Sequence, residues 1–307
     1  MIPRSILCLV FAFLCIFPAF PQNQKNRRNG PNEEDDDIPQ RIGAEQMMRA
    51  HAAAYPGIIS RVEYRNGDWA VLLREKWFYH ADGRLLPEER LPEAESYARQ
   101  SFYSYFPGLP PWREPRGEQA ERLKNILTER RTNPPKRDPS FYDTLWQARS
   151  KDEAAANLVH IKFLGKIFAV HRDLAARLQK IDSLIEEAAK ADSGIRRWID
   201  GIGSIGAWNW RNVAATASRS YHSYGAALDI LPKDLQGKAT YWQWTADKDP
   251  EWYKVPYSGR WNPPLSVVKI FERYGFCWGG KWALFDTMHF EYRPEILLLY
   301  GMEVENP

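Results

Sequence analysis

Two short stretches constrain this chain more than any others: Ser220-Tyr-His222-Ser-Tyr-Gly225-Ala-Ala-Leu-Asp229-Ile-Leu, and further along Phe285-Asp286-Thr-Met-His289-Phe-Glu291-Tyr292. Residues 226–231 read as a short buried strand, with Leu228 and Ile230 on one face and Asp229 on the other, because side chains alternate along a strand. An ionised carboxylate in an apolar strand is costly unless something compensates it, and a divalent cation is one such compensator. Residues 288–292 alternate too: Met288, Phe290 and Tyr292 on one face, His289 and Glu291 on the other. Gly225 stands between His222 and the first strand, where a backbone without Cβ can turn sharply. Either stretch alone fits a packed histidine beside a strand. Together they offer the three His/Asp ligands a zinc site needs, with an open position for water if the site is to do chemistry.

The spacing Ser220-x-His222-x-x-Gly225-x-Ala227-x-Asp229 resembles the S-x-H-x-x-G-x-A-x-D signature of the zinc D-Ala-D-Ala carboxypeptidase family. That family groups VanY-type carboxypeptidases, VanX-type dipeptidases and phage L-Ala-D-Glu endopeptidases. Gly275-Phe-Cys277-Trp-Gly-Gly-Lys-Trp282, followed by residues 286–295, is similar to its second block, and residues 206–211 resemble the segment carrying its arginine. The resemblance covers residues 155–300, with the blocks in the family's order.

The resemblance implies an α+β fold in which a small antiparallel sheet with flanking helices carries a zinc site, as in hedgehog and D-Ala-D-Ala peptidase domains. His222, Asp229 and His289 would hold one Zn2+ per chain. Asp286 would be the general base; much of the family has a Glu there, one methylene longer. Glu291 is the competing base, read instead as support for His289 because the two share a strand face. Arg211 would polarise the scissile carbonyl or take the substrate's carboxylate through two parallel bonds, with Arg219 as the alternative. Ser220 would bond substrate or orient His222, and Trp282 would contact substrate or support the site. The implied substrate is the peptide stem of peptidoglycan, with D-alanyl-D-alanine carboxypeptidase activity first and L-Ala-D-Glu endopeptidase activity as the alternative. A non-catalytic cell-wall-binding module on the same fold is the alternative of another class.

The remaining sequence fits an exported protein. Residues 1–20 combine Arg4, an apolar run and Pro18-Ala19, the pattern of a secretory signal; the run is shorter than the roughly 20 residues of a membrane span. No stable membrane span is therefore expected after cleavage, and the expected location is the periplasm or cell envelope, with lipidation at Cys15 the alternative to plain cleavage. Cys277 would then be the one thiol left, unable to form an internal disulfide. The net charge is +3 over 307 residues, without the clustered basic footprint of a nucleic-acid binder.

Residues 21–40 are nearly free of apolar side chains and read as a disordered linker. Residues 41–150 read as an N-terminal helical and hairpin extension of unknown role, and residues 151–307 as the metallopeptidase domain. Within the extension, residues 44–55 suit a helix, Asn66-Gly67 marks a hairpin, residues 81–83 a second turn, and residues 93–105 another helix. Leu158, Ile161, Leu164, Ile167, Phe168, His171, Leu174 and Leu178 recur at helical intervals, which predicts one long helix over residues 153–191. The aromatics of residues 232–264 suit either a groove wall or pins for an irregular loop. Residues 265–274 suit a helix closed by Gly275.

Overall fold

Turn chemistry and alternation build the first part of the chain as expected. In the computed structural model, which describes residues 42–307, helix α1 (Ala44–Ala54) buries Met47, Met48, His51 and Ala54. Strands β1 (Ile59–Arg65) and β2 (Asp68–Leu73) pair antiparallel across Asn66 and Gly67, whose φ angles of 52° and 85° are those of a two-residue hairpin turn. Strands β3 (Lys76–Tyr79) and β4 (Leu86–Pro87) complete a sheet of order β1-β2-β3-β4. The signal segment, the linker and Cys15 lie outside the described residues. No helix among the described residues is long and apolar enough to cross a membrane.

The helix expected over residues 93–105 does not form. A 3-10 turn at Glu88–Ser96 takes its first part, with Pro92 inside it, where the missing N–H removes a helical bond. From Tyr97 the chain runs as an irregular strap, because Phe102 and Tyr105 dock into the core. Helices α2 (Gly117–Thr132), α3 (Ser140–Leu145) and α4 (Lys151–Ala156) follow.

The single helix expected over residues 153–191 is also corrected. Strands β5 (Leu158–Phe163) and β6 (Lys166–His171) form a hairpin through Leu164 (φ 46°) and Gly165 (φ 76°), and helix α5 begins only at Ala175, running Ala175–Ala191. Two alternating strands joined by a two-residue turn mimic helical spacing where they meet. Val159, Ile161 and Val170 were the contrary signal, since β-branched side chains favour strands.

Helix α6 (Ser193–Asp200) is capped by the Asp192 carboxylate, which accepts from Gly194 N and Ile195 N. Strands β7 (Ile202–Gly206) and β8 (Ala227–Pro232), helices α7 (Trp242–Ala246) and α8 (Leu265–Arg273), strands β9 (Phe276–Trp278) and β10 (His289–Tyr292), and helix α9 (Pro294–Leu299) complete the chain. The second four-stranded sheet has the order β7-β8-β10-β9, all antiparallel. Helices with small antiparallel sheets make this an α+β fold.

One core joins early and late parts of the described residues: Met48, Phe78 and Phe141 pack with Leu228, Ile230, Phe271, Phe290 and Leu297. Phe271 stacks on Phe290 with centroids 4.0 Å apart, and burial of each such side chain contributes about 1.5–3 kcal/mol. A smaller cluster packs Ala120, Leu123 and Ile126 of α2 on Trp242, Trp252, Tyr253 and Phe285. The aromatic loop is thus pinned from beneath, while Trp244 stays 47% exposed.

Candidate metal centre

Strand register brings the first two candidate ligands together. In the β8/β10 ladder His289 stands opposite Asp229, while Leu228 stands opposite Phe290 in the core. His222 arrives on the 3-10 turn Tyr221–Tyr224, whose N-cap is Ser220: its Oγ accepts from His222 N at 3.3 Å. Ser220 therefore caps the turn that carries His222. The turn closes at Gly225, with φ 66°, and a Cβ there would lie 2.7 Å from His171 N. Only glycine permits both that conformation and that approach.

The ligand atoms converge. His289 Nδ1 lies 2.9 Å from Asp229 Oδ1 and 3.2 Å from His222 Nε2, and His222 Nε2 lies 3.2 Å from Asp229 Oδ2. Their outer contacts fix the tautomers. His222 Nδ1 is 2.6 Å from the Ala207 carbonyl, which can only accept, so Nδ1 donates and the Nε2 lone pair turns inward. His289 Nε2 donates to Glu291 Oε2 at 3.2 Å, leaving Nδ1 to face the other two atoms. Acceptors so close repel one another unless a proton or a metal cation sits among them. Ligands held at 2.0–2.1 Å in a tetrahedron around zinc stand about 3.3 Å apart, close to the spacings here, so these residues fit a zinc ion.

The electrostatics agree. Burial pushes the Asp229 carboxyl up, but the imidazoles of His222 and His289 outweigh it and hold the group well below the usual carboxylate range. Burial opposes charge on His289, yet its bonds to Asp229 and Glu291 raise it to about 10. Asp286 is raised to about 8 by burial, against the pull of His289 and with the push of Asp229. At pH 7, below both values, the metal-free protein therefore holds a proton on His289 and another on Asp286. A divalent ion competes for His289 Nδ1 and favours ionised Asp286, so zinc loading at pH 7 is expected to release about two protons, falling toward about one above pH 8. Titration calorimetry in buffers of different ionisation enthalpy measures this; loading that releases no protons would refute the assignment.

Asp286 stands where the loop meets β10. Its N donates to Gly279 O (2.9 Å) and its carbonyl accepts from His289 N (3.2 Å), while Oδ1 is buried with no hydrogen-bond partner among the described residues. The ring of Trp282 stacks on Tyr103 at 4.3 Å and lies 5.5 Å from that of His289. Glu291 is fully committed: Oε2 accepts from His289 and Oε1 from Arg293 Nη1 at 3.2 Å. Arg219 bonds Asp143 Oδ1 at 2.7 Å and stacks over Trp210, whereas Arg211 is exposed, its Nη1 bonded only to the adjacent Asn212 carbonyl at 3.2 Å. Of the two arginines, both of which border the cleft, Arg211 is the more exposed.

Ser220, His222, Asp229, His289, Asp286, Glu291, Arg211, Arg219 and Trp282 all border one cleft of about 950 Å³, whose other wall comes from Tyr103, Arg122, Ile126 and Arg130. That wall was not foreseen. Nothing in residues 97–132 spells a site, because its members come together only through tertiary packing.

Residues 214–292 match the family model described as D-alanyl-D-alanine carboxypeptidase. Residues 47–102 match one described as a domain of unknown function. The peptidoglycan L-alanyl-D-glutamate endopeptidase CwlK of Bacillus subtilis (strain 168) is 32% identical over 84 residues, which are 26% of this chain and 43% of that protein. The match thus spans less than half of the relative's length. No solved structure matches the chain.

Proposed function

We propose, from the membership of this chain in the D-alanyl-D-alanine carboxypeptidase family of zinc peptidases, that it is an exported zinc-dependent hydrolase of peptidoglycan stem peptides, removing a terminal D-alanine. One observation carries the metal dependence: the inward-facing nitrogens of His222 and His289 lie 3.2 Å apart, and each lies within 2.9–3.2 Å of one oxygen of the Asp229 carboxylate, in a cleft that also holds Asp286.

His222 Nε2, His289 Nδ1 and the Asp229 carboxylate would hold a zinc ion, which when bound would supply Lewis acidity and make water a stronger acid. Asp286, whose Oδ1 has no competing partner among the described residues, takes a proton from the attacking water and passes it to the leaving amine nitrogen. The exposed guanidinium of Arg211 takes the carboxylate at the end of the substrate peptide. Glu291 keeps the His289 tautomer fixed. Trp282, stacked on Tyr103, and the exposed Trp244 offer apolar faces to the rest of the substrate.

A second reading, cleavage between L-Ala and D-Glu, is favoured by the likeness to the Bacillus subtilis endopeptidase. Incubating the purified protein with pentapeptide muropeptides and weighing the products separates them. Loss of one alanine supports the carboxypeptidase; a cut after L-Ala supports the endopeptidase. Wall binding with no turnover of any fragment refutes both and leaves a binding module.

A further inference from the structure

Behind His289 a ladder of buried charge runs back into the N-terminal part of the chain. Glu291 accepts from His289 Nε2 through one oxygen and from Arg293 Nη1 through the other, both at 3.2 Å. Arg293 Nε donates to Glu295 Oε1, and Arg293 Nη2 donates to the Ser101 carbonyl at 2.8 Å. Glu295 Oε2 accepts from Tyr55 Oη at 2.9 Å. Arg293 is 2% exposed and Glu295 0%, with Glu291 and Tyr55 also buried. Charges so deep persist only when paired and fully hydrogen-bonded.

The sign of the ladder also matters. Its two carboxylates and one guanidinium carry one surplus negative charge. A divalent ion bound with Asp229 carries one surplus positive charge. Counted without Asp286, the two halves, joined through the neutral ring of His289, balance each other.

Tyr55 and Ser101, the outer contacts, both lie within residues 47–102, the segment that matches a domain of unknown function. The same strap is tied a second time beside the site: Tyr105 Oη donates to Glu272 Oε1 at 2.6 Å and accepts from Trp278 N at 2.8 Å, while Lys281 Nζ donates to the Phe106 carbonyl at 2.8 Å.

We infer that residues 47–102 serve as a positioning element for the metal centre, with Tyr55 and Ser101 acting through Glu295 and Arg293 to hold Glu291, and so the inward-facing Nδ1 of His289, in place. This rests on the metal-site reading above but not on the identity of the substrate. Arg293 is the keystone. Its planar fork reaches Glu291, Glu295 and the Ser101 carbonyl at once, which a lysine ammonium cannot do in the same geometry.

The test uses the whole protein and two variants, Arg293→Lys and Tyr55→Phe. The readouts are the zinc dissociation constant by chelator competition, the visible spectrum of the Co2+-loaded protein, and the melting temperature of the metal-free protein. Arg293→Lys is expected to weaken zinc binding about 10- to 100-fold, and Tyr55→Phe, which removes one hydrogen bond and keeps the ring, about 2- to 10-fold. The cobalt spectrum should shift in both, because the ligand field reports the setting of His289. Parental zinc affinity and an unchanged spectrum in the variants, with the parent binding metal, would overturn the inference alone. A parent that binds neither zinc nor cobalt would overturn the metal centre along with it. Should Arg293→Lys fail to fold, Tyr55→Phe decides by the same readouts.

Discussion

Replacing His222 by alanine is expected to reduce bound zinc from about one ion per chain to a small fraction of that, and to cut stem-peptide hydrolysis about 1,000-fold or more. The proposed site draws on three residues, and His222 Nε2 makes two of the three close contacts among them. Without it, a carboxylate and one imidazole remain, too few to hold the ion against dilution. A metal ion stabilises the transition state by several kcal/mol, and each 1.36 kcal/mol lost costs a factor of about ten. The turn itself should survive, since Ser223 N donates to Ser220 O and Gly225 N to the residue-222 carbonyl through backbone atoms alone. Metal analysis after gel filtration, beside a thermal melt of the metal-free forms, checks this. An alanine variant that keeps stoichiometric zinc would sink the ligand assignment.

Asp286→Asn should separate proton transfer from metal binding. Asparagine keeps the volume and the backbone bond from residue 286 to the Gly279 carbonyl but cannot accept a proton at neutral pH. Turnover is expected to fall about 100- to 10,000-fold, the usual share of a general base, with zinc content unchanged. Glu291→Gln makes the contrast, because that carboxylate holds His289 rather than facing the cleft unpartnered: there the metal affinity should drop first. Parallel zinc titrations and turnover measurements on the two variants decide the assignment. Full activity in Asp286→Asn would move the base elsewhere.

Local periodicity made some elements legible. The strands expected over residues 226–231 and 288–292 form at Ala227–Pro232 and His289–Tyr292, the Asn66-Gly67 turn forms as expected, and the helix expected over residues 265–274 spans Leu265–Arg273. The same logic failed at residues 153–191, because two short strands meeting at Leu164 and Gly165 repeat apolar residues at helical intervals. It failed again at residues 93–105, where Phe102 and Tyr105 gain more from docking in the core than from helical bonds.

The sequence alone determined which atoms could serve as ligands, since His222, Asp229 and His289 sit in short segments whose conformation follows from their own residues and from Gly225. Only the tertiary structure decided how those atoms are held: which tautomer each imidazole takes, which arginine stays exposed, what forms the far wall of the cleft, and what stands behind Glu291. The physical reason is range. A strand's alternation or a glycine's φ is set by neighbours along the chain, whereas the bond from Tyr55 to Glu295 joins residues 240 apart, and a hydrogen bond between such distant groups leaves no periodic trace in the sequence.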